Sequence, residues 1–558
     1  MESVQLPNDE IREMLRDSLR GFLDEHWNAA AAATYPALPE AISSIWTRLV
    51  GQGVASLGCD FSEGGLREIL VVMAELGRSA CPAPMWSAAL TNLVLSDCGV
   101  EAAVDLRQKL HEGTALVAFS FGNFDPDRNA GSIRVEDGRA SGLLRFVEVA
   151  ASCTHLVVPV EQSALAVVEL GAVGVDLEPT RAMGAWGLYE VRLNSATARL
   201  FRLQRPVADD LLLEGKLALT ARAHGAARRA FELAVDYAKE RQQFGQPIGK
   251  FQAIQHKLAN GLIALEGVRL TLDHAAHLHD RGDGNWRYFG NAAIAFAGGA
   301  LRRVSLETQH AFGAIGYAEE HEAPRHFKRV HLDTIALGGA PHARRHVASF
   351  LFDHGGEGLP QYDLGPAGNA LREKAQSWLE ENWSGDRKAA FDARPFSKRE
   401  FDPEFARNMG KTGWIGLGWP KEFDGQARSP LEQIAFIETM ERGEAPRIGA
   451  AIQANALMMS GTPEQQRKYL PEILRGEAMH GMGYSEPQAG SDLAAMRTSA
   501  VRDGDMWIIN GQKIWTTTWW GKYMFLAART DPQAKPPHAG ISMFIVPMDA
   551  PGITIRPV

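Results

Sequence analysis

The chain has 558 residues, 45% of them hydrophobic and 22% charged, so it is too long for a single hydrophobic core and should divide into several domains. Its formal net charge of −9 at pH 7, with basic residues scattered along the chain, gives no electrostatic reason to bind nucleic acid. No apolar run approaches the roughly 18 residues needed to span a bilayer, so we expect no membrane span.

The amino-terminal segment carries acidic residues from Glu2 onward and has no apolar stretch. It is typical of neither a secretory signal nor a transit peptide, so we expect a cytoplasmic protein. A reducing compartment argues against disulfides, and the spacing of the cysteines does not suit a metal, so we predict no metal site. The four cysteines are Cys59, Cys81, Cys98 and Cys153.

The chain contains a long internal repeat. The segment GQGVASLG at 51–58 is matched by KTGWIGLG at 411–418, with glycine at the third and eighth positions of both. A glycine-containing loop and an apolar helix follow in each case. We therefore predict two diverged copies of one unit in a single chain.

Copy one is predicted to contain helices, then strands, then helices. Apolar residues at helical spacing between Ile11 and Leu23 indicate an amphipathic helix. Alternation with a period of two predicts strands over 154–160 and 164–170. Long helices are predicted over 211–241, 257–280 and 288–312. The predicted domains are a helical domain over 1–113, a β domain over 114–205 and a helical bundle over 206–352.

Copy two is predicted to follow a glycine-rich linker over 353–365. Helical spacing from Leu371 to Leu379 opens it, and an Asn510-Gly511 turn between Trp507 and the stretch 513–517 predicts a β-hairpin. By the plan of copy one, its β domain is incomplete and a terminal bundle is missing, so we expect a fragment of a longer protein. The predicted domains are a helical domain over 366–478 and a β domain over 479–558.

The segment MGYSEPQAGSD at 482–492 lies where helices give way to strands. A flavin needs hydroxyl donors, backbone N–H groups and close approach without a Cβ, which Ser485, Gly490 and Ser491 could supply. The alternative is a polar connecting turn, since proline, glycine, serine and aspartate are common turn residues. Further on, KIWTT at 513–517 predicts an aromatic ring and hydroxyls on a strand, the alternative being a cross-strand packing residue with solvated threonines.

Together with DGDMWIINGQKIWTTT and GISMFIVPMDAPGITIRPV, this segment resembles the middle of acyl-CoA dehydrogenases. The resemblance implies an α+β multidomain fold in which each copy has an N-terminal helical domain, a middle β-barrel or sandwich domain and a C-terminal four-helix bundle. It also implies FAD as cofactor, with Ser485 facing the flavin ring and Ser491 facing the pyrophosphate and the acyl-CoA. The residues implied to bind FAD in copy two are Met482, Tyr484, Ser485, Gly490, Ser491, Trp515, Thr516 and Thr517.

A second segment, ERQQFGQPIGKFQ at 240–252, resembles the family segment that reaches the FAD of a neighbouring subunit. The resemblance makes Arg241 its cationic contact, whereas the alternative is an arginine that complements a helix dipole. FGAIGY at 312–317 resembles the family segment near the adenine. The residues implied to contact the cofactor from copy one are Arg241, Gln243, Phe244, Phe251, Gln252 and Gly313. We expect the copies to form an intramolecular pseudo-dimer, which could dimerise further, with Arg241 covering the FAD held by copy two.

Copy one departs from the family at its own flavin site. It has AFSFGNFDP at 118–126 in place of the motif, and the residues in the register of Trp515, Thr516 and Thr517 do not match. We therefore expect this site to be empty. The residues in that register are Phe146, Val147 and Glu148.

The catalytic base is unknown from the sequence. Leu337 stands where the family usually has its glutamate and cannot take a proton, and the base of copy two would lie beyond Val558. Glu214 is one position, roughly 100° around a helix, from the alternative register, so we expect it on the surface. His310 aligns with a family glutamine unless the chain shifts to Gln309, and we expect a packing or adenine-edge residue there rather than a catalyst.

The resemblance implies α,β-dehydrogenation of an acyl-CoA thioester, with electrons passed to an electron-transfer flavoprotein. Related proteins with one degenerate half often handle bulky acyl groups such as steroid side chains. An acyl-CoA oxidase that uses oxygen is one alternative. A non-catalytic partner that binds flavin or acyl-CoA is another, suggested by the missing base and the degenerate first site.

Overall fold

The computed structural model describes the residue ranges 9–27, 39–59, 64–96, 98–180, 187–353, 361–395, 399, 401–446, 448, 450–516 and 518–556. The chain divides into two compact units, Gln5–Gln361 and Tyr362–Val558. The division falls within the glycine-rich stretch 353–365. Within the described ranges, no helix combines the length and the hydropathy that a membrane span requires.

Helices form the first part of the unit Gln5–Gln361. They are α1 (Asp9–His26), α2 (Pro39–Val50), α3 (Leu66–Arg78), α4 (Met85–Leu95) and α5 (Glu101–His111). The helix predicted from the spacing between Ile11 and Leu23 is confirmed as α1. Apolar residues at helical spacing give α3 a buried face that includes Leu66, Ile69 and Met73.

A seven-stranded sheet follows these helices. Its strands are β1 (Val117–Phe119), β2 (Gly131–Glu136), β3 (Arg139–Glu148), β4 (His155–Glu161), β5 (Ala164–Glu169), β6 (Val175–Pro179) and β7 (Leu188–Arg202). Their order is β1-β4-β5-β7-β3-β2, and β6 also pairs with β7. The strands predicted over 154–160 and 164–170 are confirmed as β4 and β5. They pair antiparallel with each other, and buried side chains from both belong to one apolar core.

Long helices make up the rest of this unit. They are α6 (Ala208–Glu240), α7 (Gln252–Asp280), α8 (Trp286–Phe312), α9 (Ala323–Ile335) and α10 (Gly339–Asp353), and a ribbon of β8 (Gln242–Gln243) and β9 (Gln246–Pro247) joins α6 to α7. The helices predicted over 211–241, 257–280 and 288–312 are therefore confirmed. Helix α6 lies close to α3, because a Cβ built on Gly225 would lie 1.7 Å from the carbonyl oxygen of Ala74. Glycine permits this approach where any side chain would clash.

The unit Tyr362–Val558 contains a helical part and a smaller sheet. Its helices are α11 (Gly365–Asn382), α12 (Gly385–Asp392), α13 (Pro403–Thr412), α14 (Pro430–Arg442), α15 (Ala451–Ser460) and α16 (Pro463–Leu474). Its strands are β10 (His480–Gly483), β11 (Ser499–Asp503), β12 (Met506–Asn510), β13 (Tyr523–Arg529) and β14 (Ile541–Pro547). The sheet order is β10-β13-β11-β12, with β14 beside β13, and β10 runs parallel to β13. Aromatic residues such as Trp383, Phe405 and Trp414 fill the helical core.

The hairpin predicted at Asn510-Gly511 is wrong. Strand β12 pairs back onto β11 through a turn at Gly504, whose φ of 61° lies in the left-handed region. Residues 511–516 form no strand, and the Ile514 N–H donates instead to the Ser485 carbonyl at 3.0 Å. The glycine at 511 serves close packing, because a Cβ there would lie 2.2 Å from Thr498 Oγ1.

Candidate functional site

Strand β10 and the loop that follows it carry five of the eight residues predicted to bind FAD in copy two. Met482 and Tyr484 are half-buried, and the Tyr484 ring meets Phe525 edge-on at a centroid distance of 6.4 Å. Burial raises the pKa of the Tyr484 hydroxyl. The hydroxyl of half-buried Ser485 and that of exposed Ser491 have no hydrogen-bond partner among the described residues. Strand β10 therefore leads into a loop with two hydroxyls that no described residue engages.

The second predicted segment, residues 511–516, is also a loop. Trp515 is 72% exposed, and its φ of 57° places it in the left-handed region. Such a conformation costs a non-glycine residue about 1–3 kcal/mol and tends to occur at functional sites. Trp515 is thus neither on a strand nor a cross-strand packing residue, so both of those predictions are wrong. Thr516 is half-buried with a hydroxyl that is free among the described residues, and Thr517 lies outside the described residues.

A buried ion pair links these two loops. The Lys513 ammonium lies 2.9 Å from a Glu486 carboxylate oxygen and also donates to the Tyr484 carbonyl at 3.0 Å. Although burial alone would raise the pKa of Glu486, hydrogen bonds from Thr498, Arg497 and Lys513 lower it to about 2. The carboxylate is therefore charged at neutral pH. Neither Glu486 nor Lys513 was predicted as a site residue, because the contact depends on the fold of two loops and not on local spacing.

The geometry of the two loops fits a flavin nucleotide. The hydroxyls of Ser485, Ser491 and Thr516, unpartnered within the part of the chain that the structure describes, are donors for a phosphate or a polar ring edge. A Cβ built on Gly490 would meet no described residue within 4 Å, so the described residues leave space beside this glycine. The exposed Trp515 indole supplies an apolar surface for a planar ring.

In the unit Gln5–Gln361, most of the predicted contacts from copy one lie together at the end of α6. Arg241 follows the last residue of α6, and among the described residues its guanidinium has no ion-pair partner. Phe244 is 92% exposed, and its ring meets that of Phe251 edge-on at a centroid distance of 5.9 Å. Gln243 and Gln252 are exposed beside them. This end of the bundle thus presents an exposed aromatic ring and a guanidinium that no described carboxylate pairs with.

Gly313, the remaining predicted contact from copy one, ends helix α8. Its φ of 64° is left-handed, and a Cβ built on it would meet nothing within 4 Å. The preceding residue, Phe312, contacts Tyr237 in the last turn of α6 at a ring-centroid distance of 5.4 Å. Gly313 therefore lies near the same end of the bundle as Arg241.

The prediction that Glu214 lies on the surface is wrong. Glu214 is only 8% exposed, and its carboxylate lies 2.8 Å from His279 Nε2. His279 Nδ1 lies 3.0 Å from Asp280, which accepts hydrogen bonds from the first backbone N–H groups of α3. Although burial alone would lower the pKa of His279, the hydrogen bonds to Asp280 and Glu214 raise it to about 9. The imidazolium allows Glu214 to be buried as a carboxylate.

His310 does not pack in the interior, which is one of the two roles that the sequence predicts for it. Its side chain is exposed, 3.6 Å from the Glu307 carboxylate. The neighbouring Gln309 is buried instead, and its side-chain amide donates to the Gly316 carbonyl. Gln309 thus ties the end of α8 to the turn that follows it.

The register of the flavin motif in copy one carries a cluster of charges. Phe146 has a φ of 61° and Trp515 in copy two has a φ of 57°, so the two residues share the left-handed backbone conformation. Glu148, in the register of Thr517, accepts from Arg222 at 2.7 Å and 2.9 Å and from Arg329 at 3.2 Å. Arg222 also donates to Asp333 at 2.8 Å. Leu337, in the register of the usual base, is buried in the core.

Comparison with known proteins follows the same division. Family models match the acyl-CoA dehydrogenase C-terminal domain over residues 205–352, the N-terminal domain over 366–477 and the middle domain over 481–558. A C-terminal domain that precedes an N-terminal domain is the arrangement expected of two fused copies.

Relatives cover the chain to different extents. Acyl-CoA dehydrogenase FadE34 of Mycobacterium tuberculosis is 30% identical over 538 residues, which are 93% of this chain and 70% of that protein. Acyl-CoA dehydrogenase FadE26 of the same organism is 45% identical over 160 residues, 28% of this chain and 40% of that protein. The chain thus spans about two fifths to seven tenths of the length of these relatives.

Solved structures share the fold. The ChsE4-ChsE5 complex from Mycobacterium tuberculosis matches with a TM-score of 0.54 at 23% identity, covering 64% of this chain and 100% of that chain. Butyryl-CoA dehydrogenase from Megasphaera elsdenii matches with a TM-score of 0.54 at 20% identity, covering 63% of this chain and 100% of that chain. The predicted α+β multidomain fold class is therefore confirmed. The chain belongs to the acyl-CoA dehydrogenase family, whose members are oxidoreductases that act on CH–CH bonds.

Proposed function

We propose that the chain binds FAD through the loops 484–491 and 511–516 and takes part in the α,β-dehydrogenation of an acyl-CoA thioester. The observation that carries this proposal is that the hydroxyls of Ser485, Ser491 and Thr516, which have no partner among the described residues, occur in the same two loops as the exposed, left-handed Trp515. When bound, FAD would supply the acceptor for the hydride that leaves the β-carbon. Every other contribution of this site is one of binding and positioning.

Each residue of the loops has a proposed task. The Ser485 hydroxyl donates to the polar edge of the flavin ring, and the Trp515 indole covers the apolar part of that ring. Ser491 donates to the pyrophosphate and contacts the acyl-CoA. Met482, Tyr484 and Gly490 shape the FAD site that the loops 484–491 and 511–516 form, and this site is called the proposed seat below. Gly490 contributes by leaving room where a side chain would lie.

We propose that copy one completes this site across an intramolecular pseudo-dimer. Support comes from Arg241, whose guanidinium is free among the described residues, and from the exposed Phe244 next to it. A guanidinium suits a pyrophosphate because both can form paired, charge-assisted hydrogen bonds. Gln243, Phe251, Gln252 and Gly313 make up the rest of this proposed contact surface.

Copy one has two positions at which the family can place its catalytic glutamate, 337 and a position next to Glu214. Neither Leu337 nor Glu214 is proposed as the base that removes the α-proton. Leu337 has no titratable group. The Glu214 carboxylate forms a buried ion pair with His279. The positive charge of the protonated His279 imidazole balances this carboxylate and keeps it bound to His279, so it is not available to a substrate. Glu214 is therefore a structural residue in this proposal.

Electrons are proposed to leave through an electron-transfer flavoprotein. The alternative of an acyl-CoA oxidase is tested by mixing the reduced protein with oxygen and measuring peroxide. If peroxide forms rapidly and at stoichiometric yield, the electron acceptor is oxygen and not an electron-transfer flavoprotein. The alternative of a non-catalytic partner rests on the missing base and the degenerate first site, and it predicts a purified protein that is colourless or whose flavin acyl-CoA does not bleach under anaerobic conditions.

The flavin proposal is tested by titrating apo-protein with FAD and following flavin fluorescence. Trp515→Ala is expected to weaken binding about tenfold, equivalent to about 1.4 kcal/mol, because it removes the apolar cover of the ring. Trp519→Ala is the matched control, since this exposed tryptophan lies in the same segment but outside the proposed seat. If the unaltered protein binds no FAD, or both variants bind equally well, the proposed seat is wrong.

A further inference from the structure

The Glu486–Lys513 ion pair lies between the two loops and is almost fully removed from water. The side chains are 2% and 8% exposed, and their charged atoms lie 2.9 Å apart. Desolvating two charges is costly, so a buried pair of this kind is a poor way to gain stability alone. It persists where the hydrogen bonds around it are complete and a defined geometry is needed.

The hydrogen bonds around Glu486 are complete. One carboxylate oxygen accepts from the Arg497 N–H at 2.7 Å and from the Gln488 side chain at 2.8 Å. The other accepts from the Thr498 N–H at 2.9 Å and from the Lys513 ammonium at 2.9 Å. The carboxylate thus fastens its own loop to the residues that precede β11 and to the loop 511–516.

Lys513 and the residue after it also bind backbone carbonyls of the loop that contains Glu486. Its ammonium donates to the Tyr484 carbonyl at 3.0 Å, and the next residue, Ile514, donates its N–H to the Ser485 carbonyl at 3.0 Å. Together with the Glu486–Lys513 ion pair, these two hydrogen bonds make three contacts that join residues 484–486 to residues 513–514. Each lies within two residues of Ser485 and of Trp515, while neither loop contains a strand in this stretch.

We infer that Glu486 and Lys513 are positioning residues that set the distance and orientation of Ser485 relative to Trp515, and so determine how tightly the flavin is held. This inference rests on the proposed function of the two loops. A backbone in the left-handed region, as at Trp515, is kept only where its surroundings hold it there. The lysine two residues earlier and the Ile514 hydrogen bond supply that restraint.

The test compares FAD affinity and loop protection in Lys513→Met, Lys513→Arg and a matched control. Lys513→Met keeps the length of the stem but removes the ammonium, so flavin affinity should fall at least tenfold. Lys513→Arg retains a cation and should recover part of that loss. Lys522→Met is the control, since it removes a solvent-exposed ion pair with Glu472 in the same unit and should leave affinity unchanged.

Hydrogen exchange gives a readout that does not depend on flavin. In apo-protein, Lys513→Met should speed exchange at the Ile514 amide, while amides of β13 keep their protection. If the β13 amides lose protection equally, the pair is merely structural and the inference is overturned. Should Lys513→Met fail to fold, Glu486→Gln, which keeps the shape of the side chain, is measured in the same way.

The outcomes separate this inference from the function on which it rests. Wild-type protein that binds no FAD overturns the proposed seat, and the exchange data then decide whether the pair orders the two loops. Wild-type protein that binds FAD, with Lys513→Met binding equally well, overturns the positioning role alone. Loss of affinity in Lys522→Met as large as that in Lys513→Met would also overturn it.

Discussion

Arg222→Met tests whether the charge cluster of copy one holds its sheet to its helical bundle. Arg222 lies on α6, Glu148 ends β3 and Asp333 lies on α9, so one guanidinium joins three elements. The Arg222 and Asp333 side chains are 4% and 1% exposed. Removing one partner of a buried ion pair costs about 3–5 kcal/mol when the other charge is left without compensation. Here Arg329 remains 3.2 Å from Glu148 and 3.4 Å from Asp333 and compensates part of their charge, so we expect a loss near the lower end of that range in the free energy of unfolding of this unit.

The matched control is Arg287→Met. Arg287 also makes a two-pronged ion pair, with Asp210 at 2.7 Å, but the side chains are 53% and 24% exposed. Exposed pairs contribute at most about 1 kcal/mol, so this variant should differ little from the unaltered protein. The contrast isolates burial from hydrogen-bond geometry.

Native-state hydrogen exchange is the suitable assay, because it reports the opening free energy of each region separately. Peptides from α6 and α9 should lose protection in Arg222→Met, whereas peptides from α14 in the other unit should not. Adding Asp333→Asn removes the more deeply buried carboxylate, leaves Glu148 paired with Arg329, and should restore part of the loss. The reasoning is refuted if Arg222→Met and Arg287→Met lose the same protection, or if neither loses any.

Three further outcomes are expected. Arg241→Ala should weaken FAD binding about tenfold in a fluorescence titration. Arg303→Ala, which alters an exposed arginine on α8, should leave FAD affinity unchanged. Equal affinities of the two variants would contradict the proposed contact between Arg241 and FAD. His279 has its pKa raised to about 9, so its stabilising effect is complete below its ordinary pKa of about 6.5 and is lost as pH rises through about 9. Thermal unfolding should show this alkaline loss, and His279→Gln should abolish it. Gly225→Ala should cost about 1–3 kcal/mol or more through overpacking, whereas Gly299→Ala, where a Cβ meets nothing within 4 Å, should be tolerated in the same urea titration.

Local patterns in the sequence predicted much of the fold. Helical spacing identified α1, α6, α7 and α8, and alternation identified β4 and β5. The hairpin prediction at Asn510-Gly511 is wrong because a glycine can either form a turn or allow two chain segments to pack closely. The local sequence does not distinguish these two roles. The glycine of Asp503-Gly504 makes the turn, whereas Gly511 allows the chain to pass Thr498.

Contacts between distant residues could not be predicted in this way. Glu214 was expected on the surface because nothing near it in sequence indicates that His279, on a different helix, would neutralise it. The same holds for Glu486 and Lys513, whose contact depends on the course of two irregular loops. Trp515 was assigned to a strand because an alternating pattern does not reveal a left-handed residue.

The most direct test of the central claim is the number of FAD molecules bound per chain. Purified protein saturated with FAD and freed of excess flavin is denatured, and released flavin is quantified against the protein concentration. One FAD per chain is expected, because the hydroxyl-bearing loops occur in copy two and the corresponding register of copy one is occupied by the Glu148–Arg222 cluster. Two FAD molecules per chain, or none, would contradict the account.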